Sequence, residues 1–300
     1  MSFAFEENLT RLAGKVVLIT GGTAGLGRET VISLAKAGGS HVLFTGRNAA
    51  AANETIAAAR AVNSDTQVDF IQCDLADLKS VKNVAQDVAN RVDHLDVLFA
   101  NAGIMATPAA LSKDGFEIQF ATNHLGHAML VRELLPLLDR TVRQSDGDAR
   151  VIFSTSLGYQ FCSSVDYSTI RTKQEAFVLG AFRRYGQSKL ANLLYAQELA
   201  RRYSDITFVS IHPGIINTTL ISGLSTFNRY FTNITTIGQQ VTVAEGVKNQ
   251  LWAASVSKDQ IKNGVFYEPV GQIGRMTAAA KNQDQAEELY EWTEKTLRDF

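Results

Sequence analysis

Short, unbroken apolar runs alternate along this chain with longer stretches in which apolar residues recur every three or four positions. The runs are Lys15–Thr20, His41–Thr45, Val68–Cys73, Leu95–Ala100, Val151–Thr155 and Ile206–Ile211. They are rich in Val, Ile, Leu and Phe and lack strict alternation with polar residues, which predicts strands buried on both faces. The intervening segments Arg28–Lys36, Ala49–Ala61, Leu78–Val92, Gly115–Leu138, Phe182–Arg202 and Asp284–Leu297 have helical spacing. Pro136 falls near the end of the fourth, Arg143–Ala149 reads as a surface loop, and Gly264–Val270 is a candidate seventh strand. Strand and helix in alternation predict an α/β fold: a doubly wound parallel sheet with right-handed crossovers and helices on both faces. Its ligand crevice should lie at the carboxyl ends of the strands.

Two stretches carry chemistry at those ends. Gly21, Gly22, Thr23, Ala24, Gly25, Leu26 and Gly27 separate the first strand from the first helix. Glycines there permit positive φ and a close approach of diphosphate, and the helix start offers free N–H groups and a partial positive charge. The second is Tyr185-Gly186-Gln187-Ser188-Lys189 in the fifth helix. Positions i and i+4 share a helix face, so a phenol and an ammonium stand one turn apart. A nearby cation favours phenolate and should lower the phenol's pKa from its ordinary value near 10. That would make Tyr185 a usable proton donor or acceptor.

The glycine spacing, Asn101-Ala102-Gly103 and Tyr185-x-x-Ser188-Lys189 occur in the order of the short-chain dehydrogenase/reductase family, which the chain resembles from about Ala13 to its C-terminus. Asn123-His124-Leu125-Gly126-His127 is similar to the branch holding retinol-dehydrogenase-like and WW-domain-oxidoreductase-like enzymes and their fungal relatives. The resemblance implies one Rossmann-type domain over residues 1–300. It implies that Tyr185 protonates a carbonyl oxygen, that Lys189 holds the nicotinamide ribose, and that a serine hydrogen-bonds the same oxygen. Asn123 would keep a water that links Lys189 to solvent. Ser154-Thr155-Ser156 leaves that serine open: the ungapped match selects Ser156, Ser154 shares its parity, and Thr155 should point away.

For the cofactor the resemblance implies contacts from Gly21, Thr23, Gly25, Leu26, Gly27, Asp74, Leu75, Asn101, Ala102, Gly103, Tyr185 and Lys189. Pro213, Gly214 and Thr218 would hold the nicotinamide carboxamide. The family more often has Asn where Ala100 stands. Gly46 occupies the place of the acidic residue that binds the ribose of NAD, and Arg47 beside it suits the 2′-phosphate of NADP, so NADPH is expected.

Composition narrows the class further. Twenty-nine basic and 30 acidic side chains give no electrostatic footprint for nucleic acid. Cys73 and Cys162 make no disulfide framework, and no signal peptide, membrane-length apolar run or metal-ligating cluster is evident, so a cytoplasmic enzyme is expected. No linker divides the chain, and only four prolines occur. The segments 157–182 and 219–240 are irregular and carry Tyr159, Phe161, Phe177, Phe182, Phe227, Tyr230 and Phe231, which suggests an apolar substrate pocket. The second should form a binding loop or lid. Leu190, Ala191, Leu193 and Leu194 give the fifth helix more apolar surface than one core stripe needs, and relatives pair such helices, so a homodimer or tetramer is expected. The expected activity is NADPH-dependent reduction of a ketone or aldehyde, or oxidation of the alcohol, on a lipophilic or aromatic small molecule. The alternatives are a catalytically silent NADP-binding scaffold, disfavoured by the intact Ser, Tyr, Lys and Asn set, and a sugar epimerase, disfavoured by glycine spacing and length.

Overall fold

The computed structural model describes residues 5–38, 40–144, 147–176, 179–216 and 240–300. The strands are β1 (Val16–Ile19), β2 (His41–Gly46), β3 (Gln67–Gln72), β4 (Val97–Ala100), β5 (Arg150–Ser154), β6 (Thr207–Ile211), β7 (Ile215–Ile216), β8 (Gln240–Val241), β9 (Phe266–Glu268) and β10 (Gln272–Ile273). The main sheet has the order β10-β9-β6-β5-β4-β1-β2-β3, parallel except for the β9–β10 pair. Strand order therefore reverses between β1 and β4, the switch point where doubly wound sheets open a crevice. The expected α/β doubly wound architecture is present, with β7 and β8 as a small separate parallel pair.

The helices are α1 (Phe5–Leu9), α2 (Gly25–Ala37), α3 (Ala49–Val62), α4 (Leu78–Arg91), α5 (Ile118–Phe120), α6 (Gly126–Val142), α7 (Gly180–Arg202), α8 (Val243–Ser255) and α9 (Gln283–Leu297). The cores lie on opposite faces of the sheet, as strand parity requires. Val16 and Leu18 face one core with Val81, Leu134, Leu190 and Leu289, while Val17 and Ile19 face the other with Val31, Ala52 and Leu251. Helix α4 shows how sequence writes such a contact. Leu78, Val81, Val84, Ala85 and Val88 make one buried stripe, and the Asp77 side chain caps the start by accepting from the Ser80 N–H.

Three differences from the sequence pattern have physical causes. The helix expected from Gly115 starts at Ile118, because Gly115 lies in a turn at φ +80°. A π-helical turn, Ala121–Leu125, then joins α5 to α6, which continues past Pro136 to Val142. Helix α8 was not expected, although Thr242 and Glu245 stand at capping-box spacing and the Thr242 hydroxyl accepts from the Glu245 N–H.

The apolar surplus on α7 is consumed inside the chain. Leu190, Ala191, Leu193 and Leu194 are all fully buried, and α9 packs along α7. His124, Tyr195 and Tyr290 stack between these elements, with the His124 and Tyr195 rings edge to face. Those four residues therefore offer no free surface to a second copy. Tyr159, expected at the substrate pocket, is likewise core: its ring meets Phe266 and its hydroxyl donates to the Arg275 carbonyl.

Candidate active site

The glycine turn is shaped by close approaches that side chains would block. Gly21 has φ +72°, and a β-carbon there would lie 3.0 Å from the Ala102 β-carbon. A β-carbon on Gly27 would strike the Gly21 carbonyl and the Asn101 amide group. The strand end is tied to this turn from the next strand. Asn101 Nδ2 donates to the Thr20 carbonyl at 2.8 Å, and the N–H groups of Asn101 and Ala102 donate to Thr20 Oγ1. Helix α2 starts at Gly25 with Ala24 as its cap and no side-chain cap bond, so its first N–H groups are open to an anion.

A cleft of about 340 Å³ runs from this turn across the switch point. Its walls include Gly21, Thr23, Gly25, Leu26, Gly27, Arg47, Asp74, Leu75, Asn101, Ala102, Gly103, Tyr185, Lys189 and Pro213. All of these were singled out from the sequence. Gly214 follows Pro213 at φ +91°, and Thr218 lies outside the described residues, as do Phe177, Phe227, Tyr230 and Phe231. The glycine cradle and the uncapped helix start suit a dinucleotide's phosphates. At the far side of the turn, a β-carbon on Gly46 would stand 2.6 Å from Thr23 Cγ2.

Tyr185 and Lys189 stand one turn apart on α7, with the ammonium 5.6 Å from the phenol ring centre. Burial, however, dominates both groups. It pushes the Tyr185 phenol up to about 12, against a Ser156 hydrogen bond that favours phenolate, and pushes Lys189 down to about 8. The lowered phenol expected from the cation alone is thus reversed, because desolvation of the anion outweighs the Ser156 hydrogen bond that opposes it. Lys189 Nζ donates to the Ser154 carbonyl at 2.8 Å.

The three candidates at the end of β5 separate by what each atom does. Ser154 ends the strand and offers its backbone carbonyl to Lys189. Thr155 does not turn away. Its hydroxyl donates to the Lys189 carbonyl at 2.9 Å, because regular alternation stops where the strand stops. Ser156 is extended at φ −156°; its hydroxyl accepts from the Gly158 N–H and reaches the Tyr185 phenol.

Asn123 sits fully buried in the π-helical turn. Its amide clamps Ile104, accepting from that residue's N–H at 2.8 Å and donating to its carbonyl at 2.9 Å. A β-carbon on Gly103 would lie 3.2 Å from Asn123 Oδ1 and 3.4 Å from Lys189 Nζ, so the backbone here passes directly against both groups. A buried ion pair between Glu117 and Arg184, 3.2 Å apart, fixes the start of α7 against α5. Sequence inspection did not identify Thr20 or the Glu117–Arg184 pair. Only the fold brings their partners together.

Comparison with known proteins points one way. The profile of the short chain dehydrogenase family matches residues 15–228. The short-chain dehydrogenase/reductase drtF of Aspergillus calidoustus is 35% identical over 314 residues, covering 99% of this chain and 98% of that one. Human retinol dehydrogenase 13 is 33% identical over 214 residues, covering 70% of this chain and 61% of its own length. A crystal structure of an uncharacterised protein from Mycobacterium paratuberculosis superimposes with a TM-score of 0.73 at 30% identity, over 96% of this chain and 94% of that chain.

Proposed function

The chain belongs to the short-chain dehydrogenase/reductase family of oxidoreductases, and from that premise we propose that it is an NADPH-dependent carbonyl reductase, or the reverse alcohol dehydrogenase, acting on lipophilic or aromatic small molecules. The observation that carries this reading is that the Tyr185 phenol and the Lys189 ammonium line one end of a cleft whose other end is the glycine turn, with the Ser156 hydroxyl bonded to that phenol. The cofactor, when bound, supplies or accepts hydride at its nicotinamide ring. Tyr185 holds the proton that the carbonyl oxygen receives. Ser156 orients and stabilises that oxygen as charge develops, an oxyanion-hole role. Lys189 binds the ribose and favours phenolate after proton transfer, while Asn123 fixes the backbone at Ile104 and supports proton supply to Lys189.

Two features of the adenine side support NADPH over NADH. Arg47 is exposed at the cleft wall, free to meet a 2′-phosphate with a fork of donors. Gly46 cannot be exchanged for an acidic residue without moving Thr23. Pro213, Gly214 and Thr218 take the carboxamide side in this proposal. Ala106 and Phe182, packed with Met105 and Ala181 near Ile104, support an apolar substrate side at the end of the segment about 157–182, while residues 219–239 of the second expected segment lie outside the described residues. Residues 1–300 act as one catalytic domain in the cytoplasm, and among the described residues no helix is long and apolar enough to cross a membrane. A homodimer or tetramer rests on the family likeness alone and would use a surface other than Leu190, Ala191, Leu193 and Leu194.

The test is NADPH consumption against aldehydes, aryl ketones, quinones and retinoids, followed by Tyr185→Phe. The variant should lose turnover while still binding cofactor, since only the hydroxyl is removed. Near-normal kcat in Tyr185→Phe on an accepted substrate would overturn the assignment.

A further inference from the structure

The segment Asn123–His127 carries two buried histidines to which the proposed chemistry gives no role. Their surroundings differ. His124 lies 3.3 Å from Asn192 Oδ1 and 3.1 Å from Thr293 Oγ1, so it ties the π-helical turn to α7 and α9. His127 faces the nucleotide side instead. Its Nδ1 lies 2.8 Å from the Asn123 carbonyl oxygen, and its Nε2 lies 2.9 Å from Thr20 Oγ1.

The proton positions follow from the partners. A backbone carbonyl can only accept, so Nδ1 of His127 carries the proton and Nε2 is left as an acceptor. Thr20 therefore donates to Nε2, and its oxygen is free to accept the N–H groups of Asn101 at 2.9 Å and Ala102 at 3.0 Å. Burial lowers His127 to about 4, which keeps the ring neutral and this tautomer in place.

A continuous string of hydrogen bonds results. It begins at Thr20, beside the glycine turn, and crosses His127 to the backbone of Asn123. From there the Asn123 amide holds Ile104 and donates to Ser188 Oγ at 2.9 Å. Ser188 in turn donates to the Tyr185 carbonyl at 2.7 Å. The string joins the two ends of the cleft through the interior, beneath its floor.

We propose that His127 is a positioning residue, a neutral imidazole protonated on Nδ1 that couples the glycine turn to the Asn123 turn and so to the backbone of Tyr185. The consequence for nucleotide binding rests on the dinucleotide assignment of the cleft; the coupling itself does not. The role is separable from folding. When the imidazole is removed, the Thr20 hydroxyl can donate to the Phe99 carbonyl, 3.2 Å away, so no buried donor is stranded.

Three variants test it. His127→Leu removes both bonds at similar volume, His127→Gln keeps one donor and one acceptor, and Thr20→Val cuts the string at its other end but also frees the Asn101 and Ala102 N–H groups at the cleft wall, so it is read at Ile104 alone. Hydrogen exchange at the Ile104 amide reads the Asn123 clamp, and fluorescence titration with NADPH reads the cleft. His127→Leu and Thr20→Val should each speed Ile104 exchange about tenfold, and His127→Leu should weaken NADPH binding about two- to tenfold, a loss of the size of a typical buried hydrogen bond. Amides of β5 should keep their wild-type rates, and His127→Gln should restore most of both readouts. Wild-type exchange at Ile104 in His127→Leu, or a glutamine variant as impaired as leucine, overturns the coupling. Should the leucine variant not fold, ¹⁵N-histidine spectra of the wild type decide with Thr20→Val: a proton on Nε2 of His127, or no effect of the valine on Ile104, overturns it. Failure of the wild type to bind NADPH, with the exchange pattern as expected, would overturn the cofactor assignment and uphold the coupling.

Discussion

Replacing Gly46 with Asp is the change that family logic recommends for turning an NADPH site into an NADH site. The local geometry says that it will fail by itself. A β-carbon at position 46 lies 2.6 Å from Thr23 Cγ2 and 3.0 Å from Thr23 Oγ1, where ordinary contact begins near 3.4 Å. Thr23 must give way by roughly an ångström, and overpacking of this size costs about 1–3 kcal/mol. Thr23 is on the glycine turn, so the strain falls on the cofactor cradle and should weaken both dinucleotides about five- to hundredfold. Thr23→Ala removes the two offending atoms and leaves the β-carbon at ordinary contact distance, 3.4 Å. The double variant should therefore bind NADH better than Gly46→Asp does, while remaining poor for NADPH because a carboxylate now faces the 2′-phosphate. Arg47→Ala in the parent should cost NADPH about 1.5–3 kcal/mol, the worth of a charge-assisted hydrogen bond, and leave NADH nearly unchanged. The assay is fluorescence titration of both cofactors against wild type, each single variant and the double, read as a double-mutant cycle. A coupling of at least about 1 kcal/mol in NADH binding is expected. Strictly additive effects would refute the steric argument, and equal wild-type affinities for NADPH and NADH would refute the cofactor preference itself.

Two further outcomes follow from the catalytic end. Ser156→Ala should lower kcat about a hundred- to thousandfold by removing an oxyanion donor, whereas Ser154→Ala keeps the backbone carbonyl that holds Lys189 and should lose far less; steady-state kinetics with the reverse order would move the role to Ser154. Lys189 is depressed from 10.5 to about 8, so its folded form gives up a proton that the unfolded chain still holds between those values, and stability from this group rises with pH across that window. Denaturant titrations of wild type minus Lys189→Met should show a relative gain of about 1–2 kcal/mol for wild type between pH 8 and 9.5; a flat difference would mean that the lysine is solvated. The subtraction matters, because Cys73 and Cys162, raised by burial to about 12 and about 11, change stability in the opposite direction above pH 9.

The sheet was legible because its information is local. A run such as Val16–Ile19 is apolar on both faces whatever surrounds it, and the glycine turn is required wherever a strand meets an anion-binding helix. The lining of the cleft was legible for the same reason, since the motifs sit at strand ends. What could not be read depends on partners distant in the chain. Leu190 and Leu193 look like a surplus until α9, nearly a hundred positions later, is seen to cover their helix. Tyr159 looks like a loop aromatic until the Arg275 carbonyl claims its hydroxyl. Helix α8 is a different kind of miss, since its cap was written in Thr242 and Glu245.

The protonation state of Tyr185 shows why proximity alone misleads. Helical spacing correctly brings a cation within one turn of Tyr185, yet the sign of the shift depends on how much water both groups lose. Burial of the pair raises the phenol to about 12 and lowers the ammonium to about 8, so each charged form is disfavoured in the free protein. A phenol that keeps its proton is the state that carbonyl reduction requires at the start of the reaction. The Ser156 hydrogen bond favours the anion, so it gains strength as the phenol gives up its proton. Desolvation and the serine thus act at different stages: the first keeps Tyr185 loaded, and the second helps it discharge. Oxidation of an alcohol would need the phenolate in advance, at a cost that burial makes larger.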